Sequence, residues 1–157
     1  MLIFKSDKIL RLEKIIKNNS EVLQPFEEKI LDFFKALYTE LEKNKQIKKY
    51  PELIFLKFWL RPGNLKKIKE ENKTEIDLRL RLGTVFHISP SNTPLNFFYS
   101  LFFGLISGNL NIVRLPSKNY ESLILFFDCY SKVITKNKFK KIKKNIFFVK
   151  YEKNSKY

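Results

Sequence analysis

Residues 83–117, GTVFHISPSNTPLNFFYSLFFGLISGNLNIVRLPS, constrain the fold of this chain more than any other stretch. The run TVFHI is short, β-branched and aromatic, and it ends in the polar turn Ser-Pro-Ser-Asn, the mark of a buried strand. The spacing then becomes helical over residues 94–107, where Phe97, Phe98, Leu101, Phe102, Leu105 and Ile106 share one face. Thr93 reads as the N-cap, Pro94 as the first helical residue and Gly108 as the C-terminal cap. LNIVRL reads as a second strand that ends in Arg-Leu-Pro-Ser. Residues 121–135 follow as an amphipathic helix with Leu123, Phe126, Phe127, Tyr130, Val133 and Ile134 on its apolar face, and NIFFVKY reads as a third strand. A strand–helix–strand–helix–strand order specifies a parallel sheet with crossover helices, so the fold class is α/β with a βαβαβ unit.

Upstream the pattern is helical. Over residues 20–45 the apolar positions Val22, Leu23, Phe26, Ile30, Phe33, Phe34, Leu37 and Leu41 fall on one face, with Pro25 tolerable only in the first turn. Residues 51–60 predict a short second helix that RPGN breaks, and the Lys/Glu-rich segment 66–73 reads as a solvated helix or a linker. Near Ile76 the period changes: Ile76, Leu78, Leu80 and Leu82 alternate with polar residues, which is strand spacing. The division expected is a helical N-terminal segment, residues 1–75, followed by the sheet, residues 76–157.

Charge bears on partners. The 157 residues carry 31 Lys+Arg against 16 Asp+Glu, a formal charge of +15, which suits nucleic acid or an anionic membrane. The excess is nearly all lysine amid abundant Ile, Asn, Phe and Tyr, a mixture that AT-rich codon drift also produces, and no basic stripe with interleaved aromatics stands out. Nucleic acid is therefore not the expected partner. KNKFKKIKK, with six lysines, reads as a solvated helix end. A single cysteine, Cys129, excludes a disulfide framework and a cysteine metal cluster, and no metal site is expected. The N-terminus is charged too early for a signal peptide, and no apolar run approaches the ~18 residues of a membrane span, so the expected location is the cytoplasm.

Ligands of open α/β sheets bind beyond the carboxyl ends of the strands, where Ser-Pro-Ser-Asn leads into a helix start. Free N–H groups there, with the Asn92 amide, can stabilise an anion, although an ordinary turn residue reads the same way. Neither G-x-G-x-x-G nor a P-loop is present. Arg114 and Ser117, at the next strand end, could meet a ribose or phosphate at the same edge, or simply be solvated.

Together these motifs, Pro-x-Asn-x-Pro after a strand, then a helix, Gly-Asn and a strand ending near Pro-Ser, resemble the aldehyde dehydrogenase superfamily. With His-Ile before the turn, Gly-Asn-x-Asn-Ile-Val-Arg after it and FWLRPGNL upstream, the chain more closely resembles its acyl-CoA reductase branch, typified by the bacterial luciferase-associated fatty acid reductase. The resemblance implies an incomplete Rossmann-like dinucleotide-binding domain and an enzyme that reduces a fatty acyl thioester to an aldehyde with NADPH, through a cysteine-bound acyl group. It makes Asn92 the oxyanion contact, sets the Ser89–Ser91 turn beside the cofactor and brings Arg114 and Ser117 near the adenosine ribose. Arginine there suits the 2′-phosphate of NADPH. The family's nucleophilic cysteine lies in a downstream catalytic domain; Cys129, in FFDCYSK, does not match it and reads as structural, and His87 reads as packed beneath the site. The chain alone is thus expected to be an inactive N-terminal part. It would work with a separately encoded C-terminal half or an acyl-transferring partner enzyme. A non-catalytic interaction module and a basic nucleic-acid-binding protein are the competing expectations. A sheet ending at NIFFVKY would leave that strand as an unpaired edge.

Overall fold

The computed structural model describes residues 3–4, 22–72, 80–90 and 92–150. Strand β1 (Ile3–Phe4) is followed by three helices, α1 (Glu28–Lys43), α2 (Pro51–Trp59) and α3 (Pro62–Glu71). Then come β2 (Thr84–Ile88), α4 (Asn96–Ile106), β3 (Leu110–Arg114), α5 (Glu121–Ile134), a short α6 (Lys140–Lys143) and β4 (Ile146–Val149). The fold is α/β as the alternation requires: β2, β3 and β4 pair in parallel, with α4 and α5 as crossovers. The sheet order is β1-β4-β3-β2.

That order corrects the expected free edge. Backbone pairing of Ile3 with Phe148 and of Phe4 with Val149 covers the outer side of β4, a contact spanning nearly the whole chain that no local pattern encodes. Among the described residues the sheet's open edge is instead β2, where Phe86 and Ile88 are exposed.

The opposite sheet face carries the core. Val113, Ile146 and Phe148 meet Phe97, Phe98 and Phe102 of α4, Phe126 and Tyr130 of α5, and Phe33 and Phe34 of α1. Most of their rings pack edge-on or tilted, as Phe34–Phe102 at 4.6 Å and Phe97–Phe148 at 6.0 Å between centroids, while Phe126 and Tyr130 stack, arrangements that ring quadrupoles favour. Helices before residue 72 and the sheet after residue 84 therefore share one continuous core.

Local boundaries moved where burial outweighed a cap. Helix α4 begins at Asn96 rather than Pro94, because Leu95 is buried and takes the N-cap position; Thr93 stays exposed in the preceding turn. At its other end Gly108 adopts φ +78, with its N–H on the Leu105 carbonyl (2.9 Å) and the Asn109 N–H on the Gly104 carbonyl (3.1 Å), a Schellman termination. Helix α1 starts after Pro25, since Phe26 takes a positive φ and its N–H bonds the Ile106 carbonyl at 2.7 Å. Val22 is exposed, whereas the other seven positions of the predicted α1 face are buried. RPGN does break the helical run, but only Leu60 and Arg61 lie between the helices: Pro62 opens α3 at its first position, which dispenses with an N–H. Of the strand expected at 76–82, residues 76–79 lie outside the described residues, while Leu80 and Leu82 are exposed and outside any strand.

Candidate functional site at the carboxyl edge of the sheet

Parallel register decides which strand ends meet. Ile88 pairs with Arg114, and Arg114 with Val149, so the segments leaving β2, β3 and β4 emerge side by side. Ser89 is half-buried just beyond β2; Asn92 is exposed in the turn that enters α4; Arg114 is half-buried at the end of β3, and Ser117 is exposed three residues on. Ser91 lies outside the described residues. The first turn of α4 has no side-chain cap, which leaves N–H groups available at the positive end of the helix dipole. The same edge gains a cation that sequence reading passed over: Lys150 follows β4 directly, and its Nζ donates to Asn119 Oδ1 at 3.1 Å. Its signal was present, as the lysine that closes NIFFVK. Hydroxyl, amide and cationic donors converging on one edge can hold an anionic ligand and a developing oxyanion.

Beneath this edge lies a buried polar network that sequence reading did not assemble. His87 points into the helix-covered face, where its ring contacts Ser100 Oγ at 2.6 Å and Asn111 Oδ1 at 2.9 Å. Asn111 spends its amide N–H groups on the carbonyls of Asn109 (2.7 Å) and Asn145 (3.4 Å), so its Oδ1 accepts from His87 Nε2–H. Nδ1 of His87 then accepts from the Ser100 hydroxyl, and the imidazole is neutral. Asn109 Oδ1 in turn accepts from the N–H groups of Leu82 and Gly83, at 2.7 and 3.1 Å. The two asparagines of GNLNI thus tie α4, β2 and β3 together. Gly104 makes room for them, as a Cβ there would sit 2.1 Å from Asn111 Oδ1.

Burial pushes the His87 pKa below its usual 6.5, and the Asn111 bond only partly opposes this. A depressed folded-state value means the unfolded chain binds the extra proton first. The contribution is therefore complete above about pH 6.5 and is lost as pH falls through the folded value. Since His87 is the only histidine, the urea midpoint should fall between about pH 7 and 5, and His87→Gln should flatten that slope. An unchanged slope in the variant would remove His87 as the cause.

Cys129 occupies α5 facing α1. It is buried, its sulfur takes the Asn44 amide at 3.7 Å and approaches the Glu40 carbonyl at 3.9 Å, and burial pushes the thiol pKa up. A protonated thiol packed between helices is a poor nucleophile. Among the described residues no His, Cys, Asp or Glu cluster could hold a metal, and no helix is long and apolar enough to cross a membrane.

A parallel sheet with crossover helices defines an α/β protein of the open-sheet type. Within that class the chain matches the acyl-CoA reductase (LuxC) family over residues 11–156, and it belongs to that family. Neither the curated proteins nor the solved structures yield a match.

Proposed function

We propose that this chain forms the N-terminal part of an NADPH-dependent acyl-CoA reductase, which converts a fatty acyl thioester to an aldehyde through a cysteine-bound acyl group. Membership of the acyl-CoA reductase family over residues 11–156 carries the reading. The register Ile88–Arg114–Val149, which brings Ser89, Asn92, Arg114 and Ser117 to one edge, supports it chemically. The donors fit an anionic dinucleotide: Arg114 suits the 2′-phosphate, Ser117 and the Ser89–Ser91 turn suit ribose and phosphate oxygens, and Lys150 adds a further cation. NADPH, when bound, supplies hydride to the acyl carbon. Asn92, exposed in the β2–α4 turn, donates its amide to the oxygen on which negative charge develops, and the uncapped start of α4 adds dipole stabilisation.

The thiol that takes the acyl group comes from polypeptide outside these 157 residues, because Cys129 is the only cysteine and is sequestered. The chain would hold cofactor and oxyanion contacts, and a catalytic part beyond these residues would hold the nucleophile.

Two measurements test this. The chain alone, given a fatty acyl-CoA and NADPH, should form no aldehyde; production of aldehyde would overturn the division of labour. With the nucleophile-bearing part restored, Arg114→Leu should raise the KM for NADPH about tenfold and leave that for NADH little changed, the loss of one charge-assisted contact. Equal effects on both cofactors would remove Arg114 from the 2′-phosphate.

A further inference from the structure

Helix α2 is apolar on both sides. Its inner face, Leu53 and Leu56, is fully buried, yet Phe55 is 67% and Phe58 58% exposed on the outer face, beside Ile54 at 42%. A helix apolar on both faces belongs in a core or against lipid, and among the described residues Phe55, Phe58 and Ile54 stay exposed on this outer face. Spacing of one helical turn makes the exposed side chains one patch, and α4 extends it: Trp59 packs on Phe103 with ring centroids 6.1 Å apart, and Phe103 is itself 51% exposed. Scattered exposed apolar residues are ordinary, whereas a contiguous aromatic patch marks an interaction surface.

Charge around the patch selects the occupant. Residues 45–61 hold five cations, Lys45, Lys48, Lys49, Lys57 and Arg61, against one carboxylate, Glu52, and Lys57 is paired with Glu42 of α1 at 3.5 Å. Lys48 and Lys49 are exposed just ahead of the helix, and at its far end the Arg61 guanidinium lies 3.9 Å over the Phe58 ring. Aromatic side chains between lysines and arginine are the composition of interfacial helices, whose rings enter the acyl boundary while cations meet lipid phosphates. A second copy is the poorer occupant, since each chain carries +15 and the patches would bring like charges together.

We propose that the outer face of α2, with Phe103 and the flanking cations, is a peripheral docking surface for an anionic lipid bilayer. Phe55 and Phe58 enter the interface, and Lys48, Lys49 and Arg61 meet the headgroup phosphates. No step of the reductase reading is needed for this.

Trp59, the only tryptophan, sits inside the patch and reports on it directly. Mixing the protein with vesicles of phosphatidylcholine containing about one-quarter phosphatidylglycerol should shift Trp59 emission to the blue and carry the protein into the vesicle pellet. Raising salt from about 0.05 to 0.5 M should weaken binding, as should vesicles of phosphatidylcholine alone. The Phe55→Ser/Phe58→Ser variant should bind at least about tenfold more weakly. Both side chains are exposed, so its circular dichroism and melting should stay close to those of the parent. Absence of any blue shift or pelleting overturns the proposal. So does binding that Phe55→Ser/Phe58→Ser leaves unchanged, which would reduce it to bulk charge attraction. Self-association abolished by that variant, with vesicles ignored, would assign the patch to a protein interface instead.

Discussion

Gly104→Ala should lower the stability of this protein by about 2–4 kcal/mol, although alanine is the better helix former by ~1 kcal/mol. The new Cβ would lie 2.1 Å from Asn111 Oδ1 and 2.9–3.0 Å from the His87 ring, so α4 or Asn111 must shift. Displacing Asn111 breaks its bond to His87 and disturbs those to Asn109 and Asn145, all within the buried layer between α4 and the sheet. Each buried polar group left without its partner costs about 1–3 kcal/mol, so the clash outweighs the gain in helix propensity. For a domain of this size a drop of several degrees to about 15 °C in Tm follows. Gly63→Ala provides the contrast: Gly63 sits in α3 with open space around its Cα, and the same change there should be neutral to stabilising by up to ~1 kcal/mol. Urea and thermal unfolding of both variants decide the matter, and a Gly104→Ala midpoint at or above the parent value would sink the explanation.

In the assembled reductase, Asn92→Ala should reduce kcat by about 10²–10³, the usual cost of one oxyanion donor. The side chain is exposed, so stability should change by less than ~0.5 kcal/mol. KM for the acyl thioester should move little, because the contact strengthens only as negative charge develops on oxygen. Rates of aldehyde formation at saturating thioester are the test. A variant within about threefold of the parent would remove Asn92 from the oxyanion site and leave it an ordinary turn residue.

Much of the fold was legible because periodicity reports which face of an element is buried. The six positions assigned to the apolar face of α4 are all buried, and on α5 all but the half-buried Phe127 are. Boundaries were less legible. Thr93 is a good cap by composition, but the core claims Leu95, and burying a leucine is worth more than one capping bond. RPGN contains two helix-breaking residues, yet proline at a first helical position restarts a helix as readily as it ends one. Alternation at Leu80 and Leu82 looked like a strand because period two was present; both side chains are exposed, so that alternation carries no burial.

Of the candidate site, residue types were legible and neighbours were not. Asn92, Arg114 and Ser117 were singled out from turn position, strand-end position and family resemblance, while Lys150 and the His87–Ser100–Asn111 network were missed. A histidine inside a strand carries no sign of which asparagine, 24 residues on, will accept its hydrogen bond.

Sequence alone determined the α/β class, the order of strands and helices from β2 to β4, the faces of α4 and α5 that turn inward and the turn that bears Asn92, since each follows from spacing within a few residues. Tertiary structure alone decided that Ile3–Phe4 closes the β4 edge, that the β2 edge stays open, that His87 is held neutral, that Cys129 is sealed between α1 and α5, and that Phe55 and Phe58 face outward. These outcomes depend on contacts between segments distant along the chain, where packing and desolvation choose among partners that local periodicity leaves equivalent.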